Sequence, residues 1–361
     1  MKKFTVIITA LVLALCMVAG QGLNISARAE EAIEYALITD IGTIDDKSFN
    51  QGAWEGLKAF TESIGADCIY YQPSDKSTEE YLNQIDLAVI GGAKYVVTPG
   101  YLFEEAIFIA QDMYPEVKFI LLDGAPHNAD YSEFRTNENV LSVFYKEEQS
   151  GYLAGYAAVK EGYTKFGFMG GMAVPAVIRF GYGFVQGVEN AAKEIGLTDV
   201  QMNYHYTGGF TATPEAQTLA ATWYNDGVEV IFACGGAVGN SVMAAAEASN
   251  GGKVIGVDVD QSGDSETVIT SAVKALSVSV VSALEEDKAG KFPGGQTMNL
   301  GATENGVGLP METSRFATFA QADYDAVYAT LASGEVTLLN DTAGDTPTDL
   351  GTTIVKINVV E

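Results

Sequence analysis

Acidic residues end several apolar runs of this chain, where a parallel sheet would bring them close together. Asp40, Asp123 and Asp258 close the segments ALITD, FILLD and VIGVD. Ligands of open α/β sheets bind outside the carboxyl ends of the strands. A carboxylate there is suited to accept two hydrogen bonds from vicinal hydroxyl groups, such as those of a ribose. The three aspartates therefore predict acceptors for a hydroxyl-bearing ligand.

Phenylalanines lie near the same strand ends. Phe49, Phe180 and Phe210 follow strand-like runs or stand near the start of the next helix-like run. Two phenyl rings can enclose a flat heterocycle, at roughly 1–3 kcal/mol per stacked face. The alternative for each ring is packing in the core, and for a ring taken alone that alternative is favoured. The combination of rings and aspartates is what indicates a site.

The segment that joins the first strand to the first helix carries three of these side-chain types. The apolar run Tyr35–Thr39 leads into Asp40, and Phe49 and Asn50 follow at the start of a helix. Ser48 and Gln51 have the S-x-x-Q spacing of a capping box, which predicts that the helix begins at Ser48. The alternative is an ordinary solvated loop.

Lys274 is unusual because it lies in the apolar segment Val268–Ala275. Lysine is rarely buried without a partner. The sequence therefore predicts either an ion pair with an aspartate across a hinge or a hydrogen bond to a ligand.

Strand-like and helix-like runs alternate from Glu34 onward, which predicts parallel sheets covered on both faces. The alternation restarts near Lys165, so two α/β lobes in tandem are expected. The segment from Thr267 to Glu361 is too short for a third lobe. It is expected to return and complete both lobes, which creates several crossings, a hinge and a cleft. The predicted ranges are 30–145 plus about 268–305 for the N-terminal lobe, and 146–267 plus about 306–361 for the C-terminal lobe.

The first 29 residues read as a signal peptide. Lys2 and Lys3 precede an apolar run, and the sequence Ala27-Arg28-Ala29 fits a cleavage site. Alternatively, the sequence before Cys16 partly resembles a lipobox, whose cysteine would carry a lipid. Either alternative predicts export across the cytoplasmic membrane, to the periplasm or the cell surface.

Composition and missing motifs exclude several classes of function. The formal net charge of −27 disfavours nucleic acid as a partner, because phosphate binding needs clustered Lys and Arg. Two histidines and no His/Cys cluster leave a zinc site without support, and no cofactor is expected. No G-x-S-x-G or P-loop motif occurs.

The adjacent acids Asp45-Asp46 and Glu147-Glu148 are expected to be solvated, so no catalytic residue is predicted. Cys68 and Cys234 are expected to be free thiols.

Six segments together resemble one family. They are ITDIGTIDDKSFNQGAWEGLKAF, FILLDG, EEQSGYLAGYAA, GFMGGMAVPAVIRFGYGFVQGV, VIFACGGAVGN and GVDVDQ. They occur in the order seen in the basic membrane protein (Bmp) family, the substrate-binding proteins of ABC importers that include purine nucleoside receptors. The resemblance covers nearly the whole chain after the signal peptide, and DDKSFNQ and GVDVDQ are its most specific motifs.

The resemblance implies a two-lobed type I periplasmic-binding fold that closes on a nucleoside. The implied ligand-binding residues are Asp40, Phe49, Asn50, Asp123, Phe210, Gly235, Asp258 and Lys274. Asp260 is the alternative to Asp258, which is preferred because it directly ends the apolar strand. The implied partners are a small molecule, with a purine nucleoside favoured, and the permease subunits of the transporter. The protein is expected to be a monomer.

Three alternatives stay open at this point. Some relatives bind flavins or other heterocycles. A sensory ligand-binding protein would have the same sequence features. A nucleoside hydrolase is disfavoured, because the strand-end aspartates are divided between the lobes instead of forming a metal-binding cluster.

Overall fold

A computed structural model describes residues 32–361. The predicted signal peptide (1–29), its cleavage after Ala29 and the lipid attachment at Cys16 lie outside the described residues.

Thirteen strands, nine α-helices and three short 3-10 helices follow one another in the described chain. The first half contains β1 (Tyr35–Ile38), α1 (Phe49–Ile64), β2 (Cys68–Tyr71), α2 (Thr78–Ile90), β3 (Tyr95–Pro99), α3 (Glu104–Met113), β4 (Lys118–Leu122), β5 (Val140–Tyr145), α4 (Glu147–Glu161) and β6 (Lys165–Gly170). The second half contains α5 (Pro175–Ile195), β7 (Val200–Tyr206), α6 (Pro214–Asn225), β8 (Val230–Cys234), α7 (Val238–Ala248), β9 (Lys253–Asp258), β10 (Val268–Lys274), α8 (Leu276–Lys288), β11 (Gln296–Leu300), β12 (Val307–Gly308), α9 (Gln321–Ala332) and β13 (Val355–Val359).

The strands form two sheets with similar strand orders. The first sheet has the order β11-β5-β4-β3-β1-β2 and is entirely parallel. The second has the order β12-β10-β9-β8-β6-β7-β13, in which only the short β12 is antiparallel. In each sheet the strand order reverses once, between β1 and β3 and between β6 and β8. Such switch points open a crevice at the carboxyl ends of the strands.

Each sheet has a hydrophobic core on both faces, so its central strands are apolar and buried, whereas the edge strands β11 and β13 carry exposed polar residues. Helix ends follow local signals. The Ser77 side chain accepts a hydrogen bond from Glu80 N before α2, and Thr213 accepts one from Ala216 N before α6. Proline occupies the first turn of α5 and α6, where its missing N–H costs no helical hydrogen bond.

Two details differ from the sequence predictions. Strand β10 lies in the second sheet, so the segment 268–274 was wrongly assigned to the N-terminal lobe, and the chain returns to the first sheet only with α8. The predicted capping box at α1 is also wrong. Ser48 makes no side-chain hydrogen bond to the helix, because its hydroxyl is donated to Asp258 instead.

Three short segments connect the sheets: β5 to α4, β10 to α8, and β11 to β12. The sheets are therefore joined by a multi-stranded hinge. Within residues 32–361, no helix has the length and apolar character needed to span a bilayer.

Candidate functional site

One cavity of about 300 Å³ lies at the carboxyl ends of the strands of both sheets. This volume is at the lower end of the 300–1,000 Å³ typical of small-molecule pockets. The cavity is lined by all eight predicted residues: Asp40, Phe49, Asn50, Asp123, Phe210, Gly235, Asp258 and Lys274. The structure thus brings together residues that are up to 234 positions apart in the sequence. Their ligand contacts stay a prediction.

Asp40 is held in place by the start of α1. Its Oδ1 accepts hydrogen bonds from Gly42 N (2.6 Å) and from Asn50 Nδ2 (2.9 Å), and Asn50 Oδ1 accepts from Asp40 N (3.2 Å). Burial raises the pKa of Asp40, and the nearby Asp258 also raises it. Asn50 therefore orients Asp40 at the cavity wall.

Asp46 is the acid that caps α1. Its carboxylate accepts hydrogen bonds from the backbone N–H groups of Ser48 (2.8 Å), Asn50 (3.0 Å) and Gln51 (3.1 Å). Burial raises its pKa to about 6, against these hydrogen bonds. The expectation that the adjacent acids are solvated is wrong for Asp46, as it is for Glu147 and Glu148, which are buried at the start of α4. Asp45 alone is exposed.

Asp123 follows β4 with a left-handed backbone (φ 55°), as Asp258 ends β9 (φ 67°). This conformation is uncommon for residues other than glycine and often marks a functional site. Asp123 Oδ2 accepts from Lys274 Nζ at 2.5 Å. Its Oδ1 is buried and has no hydrogen-bond partner among residues 32–361. A buried acceptor of this kind at a cavity wall is suited to a donor on a ligand.

Lys274 connects the two sheets, and its ion pair with Asp123 confirms the predicted pairing across the hinge. Its Nζ also lies 3.4 Å from Asp258 Oδ1 and 3.5 Å from Glu147 Oε1. Burial disfavours its charge, but the three carboxylates outweigh burial and hold the pKa of Lys274 above its usual value.

The two partners of this ion pair respond differently to their surroundings. Burial raises the pKa of Asp123; Lys274 opposes this effect and Glu147 adds to it. Of the two residues, Lys274 keeps its charge more strongly, because three carboxylates surround its ammonium group. Glu147 is in turn held by Arg179 Nε at 2.5 Å.

Asp258, and not Asp260, faces the cavity. Asp258 Oδ2 accepts from Ser48 Oγ at 2.5 Å, a contact between the two sheets. Asp260 is exposed and accepts from Thr313 Oγ1 at 2.6 Å. The two acids differ by two positions in the sequence but point to different surroundings.

The aromatic rings come from both sheets. Phe49 and Phe210 are half-buried, and Phe180, also in the cavity wall, is 2% exposed and packs edge-on against Phe232. Lys274 Nζ lies 4.4 Å from the Phe49 ring centroid, within cation–π range. Gly171 makes room for Phe210, because a Cβ there would approach the ring to 2.4 Å.

Glycine is also needed at position 235. A Cβ on Gly235 would lie 2.6 Å from the backbone nitrogen of Gly171. The two glycines follow the strands that flank the switch point of the second sheet, β8 and β6. Their close packing lets the backbone at Gly235 form part of the cavity wall.

Sequence reasoning missed several residues of the site. Asp46 lines the cavity, and Ser48, Glu147 and Arg179 hold its charged groups. Phe180 also lines it; the sequence placed this ring near a strand end but not among the eight implied ligand-binding residues. Two sequence signals pointed toward these residues. Asp46 and Ser48 lie in the specific motif DDKSFNQ, and Glu147 stands at the start of a helix-like run.

The wall combines carboxylate acceptors with apolar rings and contains Lys274, a cation already neutralised by neighbouring acids. In the described part of the chain, no group of three or more His, Cys, Asp or Glu residues is arranged to hold a metal ion. Both cysteines there are free, as predicted. The arrangement is suited to reversible binding of a flat molecule with hydrogen-bond donors.

Comparison with known proteins identifies the family. A family model described as "ABC transporter substrate-binding protein PnrA-like" (Bmp) matches residues 33–329. The chain belongs to this family. The family membership predicted from the six sequence segments is therefore confirmed.

Curated relatives include the "ABC transporter nucleoside-binding protein BmpA" of Lactococcus lactis subsp. cremoris (strain MG1363). It is 30% identical over 87% of this chain and 93% of its own length. The "Basic membrane protein A2" of Borrelia garinii subsp. bavariensis is 31% identical over 74% of this chain and 77% of its own length.

Solved structures agree with the fold. An ABC transporter solute-binding protein from Aeropyrum pernix K1 superposes with a TM-score of 0.74 at 25% identity, and covers 89% of this chain and 100% of its own. One from Conexibacter woesei DSM 14684 has a TM-score of 0.67 at 26% identity, with coverage of 85% and 99%. The predicted type I periplasmic-binding fold is confirmed.

The family also fixes the general activity. Its members are extracytoplasmic substrate-binding proteins of ABC transporters and not enzymes, which confirms both predictions. A small-molecule ligand and permease subunits are the partners that this activity requires.

Proposed function

We propose that this protein binds a purine nucleoside in the cavity and presents it to an ABC permease. The observation that carries the proposal is Asp123 Oδ1, a buried acceptor without a partner among the described residues, in a cavity lined by Phe49 and Phe210. A base that stacks on the rings and donates to Asp123 would satisfy both features. The nucleoside-binding name of the Lactococcus relative supports the same ligand class.

In this arrangement, the base lies between the rings of Phe49 and Phe210, and the Asp123 carboxylate accepts hydrogen bonds from the donors of the base. Asp258 and Lys274 bind the ribose hydroxyls. Asp40 and Asn50 line the same part of the cavity, and Gly235 lets the backbone approach the ligand closely. Each hydroxyl would have a carboxylate acceptor, which makes strong charge-assisted hydrogen bonds.

Closure of two lobes accompanies binding. We assign the first sheet with α1–α3 and α8 to one lobe, and the second sheet with α4–α7 and α9 to the other. The three connecting segments form the hinge. Binding shifts the population toward the closed form, which the permease recognises. The protein acts as a monomer, outside the cytoplasm, with or without a lipid on Cys16.

Calorimetric titration and thermal shift with inosine, guanosine, adenosine, free purines, ribose and riboflavin test the ligand class. A nucleoside at about 100 times its Kd should stabilise the fold by roughly 2.7 kcal/mol. Stabilisation by riboflavin or ribose alone would overturn the nucleoside assignment. Release of free base from a nucleoside would contradict a pure binding function.

A further inference from the structure

The two most specific sequence motifs, DDKSFNQ and GVDVDQ, meet at the rim of the cavity. Gln261 Nε2 donates to the backbone oxygen of Lys47 at 2.6 Å, and Lys47 Nζ lies 3.4 Å from Asp264 Oδ1. The neighbouring Ser48 donates to Asp258. These contacts join the start of α1, next to the first sheet, to the segment between β9 and β10 of the second.

We propose that the hydrogen bond from Gln261 to Lys47 is a latch that keeps the lobes closed over a bound ligand. The proposal rests on the proposed function, since it concerns how long the nucleoside remains in the cavity. Gln261 is a positioning residue here: it does not line the cavity, but holds the loop that leads into Phe49 and Asn50.

The Gln261 side chain is fixed by its own lobe before it reaches across. It is 1% exposed, its Oε1 accepts from Val257 N at 3.0 Å, and its backbone N donates to Ser271 Oγ at 3.0 Å. Only Nε2 is directed at the other lobe. A donor held in this way loses little conformational freedom when the lobes meet.

The acceptor is shaped for the contact as well. Lys47 has a left-handed backbone, with φ 63°. This conformation is uncommon for lysine, and such residues cluster at ligand clamps and switch regions. The exposed ion pair with Asp264 adds little, because solvated ion pairs are weak.

The test compares Gln261→Glu with a matched control, Gln111→Glu. Gln111 is equally buried, and its Nε2 donates to the backbone oxygens of Arg135 (3.0 Å) and Phe108 (3.1 Å), all within the first lobe. Both substitutions replace a buried donor by an oxygen that faces a carbonyl oxygen. Only Gln261→Glu breaks a contact between lobes.

Stopped-flow displacement measures the dissociation rate of inosine or guanosine, and small-angle X-ray scattering measures the radius of gyration of the ligand-free protein. We expect Gln261→Glu to raise the dissociation rate by roughly tenfold and to enlarge the ligand-free protein. Gln111→Glu should change the rate by less than about twofold while it lowers the melting temperature.

Equal changes in the two variants, or no change in either, would overturn the latch. If wild-type protein binds no nucleoside, the proposed function fails, and scattering alone then decides on the latch. A larger radius of gyration in Gln261→Glu than in Gln111→Glu would support it, and equal radii would overturn it.

Discussion

Asp123 and Glu189 are both buried carboxylates, but their surroundings have opposite effects. The Glu189 carboxylate, on α5, accepts hydrogen bonds from the backbone N–H groups of Thr353, Ile354 and Val355. Burial would raise its pKa, but these donors outweigh burial and lower it to about 2. Asp123 has one acceptor oxygen without a partner among the described residues, and burial raises its pKa.

The difference separates a structural acid from a candidate ligand-binding acid. Glu189 obtains all its donors from the protein, and so fixes the segment before β13 on α5. Asp123 needs a donor that the described residues do not supply. An unsatisfied acceptor in the cavity wall, and not burial alone, therefore indicates which acid is available for a ligand.

The largest expected effect is on ligand binding in Asp123→Asn. The substitution keeps the shape of the side chain but turns an acceptor into a donor facing the proposed ligand donor. Nucleoside affinity should fall by about 3–4 kcal/mol, or roughly 100- to 1,000-fold, measured by calorimetry. The free energy of unfolding should change less than in Glu189→Gln, because Lys274 keeps Asp258 and Glu147 as partners. Unchanged affinity would contradict the assignment of Asp123.

Glu189→Gln should have the complementary effect. Loss of the charge-assisted bonds should lower the free energy of unfolding by about 3 kcal/mol at pH 7, with nucleoside affinity unchanged. Since the folded-state pKa is depressed, this stability is fully present above the unfolded pKa of about 4.5 and is lost as the pH falls toward about 2. Urea unfolding of both proteins at several pH values measures this. A variant as stable as wild type at pH 7 would refute the structural role.

Phe210→Ala should weaken binding by about 2 kcal/mol, roughly 30-fold, through loss of one stacked face. The ring is half-buried in the cavity wall, so the melting temperature should change little. If the variant loses stability but binds normally, Phe210 is a packing residue.

As the pH is lowered, nucleoside affinity should fall at a higher pH than the one at which the stabilising contribution of Glu189 is lost. A ligand donor binds the ionised form of Asp123, and burial raises the pKa of that group. Affinity should therefore fall as the pH is lowered through a range above the usual aspartate value, by at most about tenfold per pH unit. Titration calorimetry across this range checks it, with Asp123→Asn as the flat reference. A nucleoside affinity that stays constant down to pH 4 would contradict the assignment of Asp123, rather than a fully satisfied acid such as Glu189, to the ligand.

The smallest effect is expected at Asp260, two positions from Asp258. Asp260→Asn alters an exposed contact with Thr313, and both affinity and stability should stay within about 0.5 kcal/mol. A large loss of affinity would mean that the wrong aspartate was assigned to the cavity.

Local features made much of the fold predictable. The alternation of strand-like and helix-like runs predicted two parallel sheets covered by helices on both faces, and the structure contains them. Seven of the eight cavity residues were picked out by their residue types and their positions in or near strand-like runs, whereas Gly235 was named only by the family resemblance.

The remaining contacts depend on partners far away in the sequence. Ser48 has the local pattern of a helix cap, but Asp258, 210 positions later, takes its hydroxyl. Glu147 has the pattern of a solvated helix start, but Arg179 and Lys274 draw it into the interior. β10 was assigned to the wrong lobe because an apolar strand carries no mark of the sheet that it joins.

The position of α8 in the chain has a consequence for how the first lobe is completed. Leu276, Val280 and Leu284 of this helix cover one face of the first sheet, whose central strands are complete by Tyr145. Helix α1 covers part of the same face, and about 140 further residues separate Tyr145 from the end of α8, which completes the cover. The core of the first lobe is therefore completed by a helix that follows most of the second lobe in the chain, so a fragment that ends at Tyr145 would leave part of this core open to water.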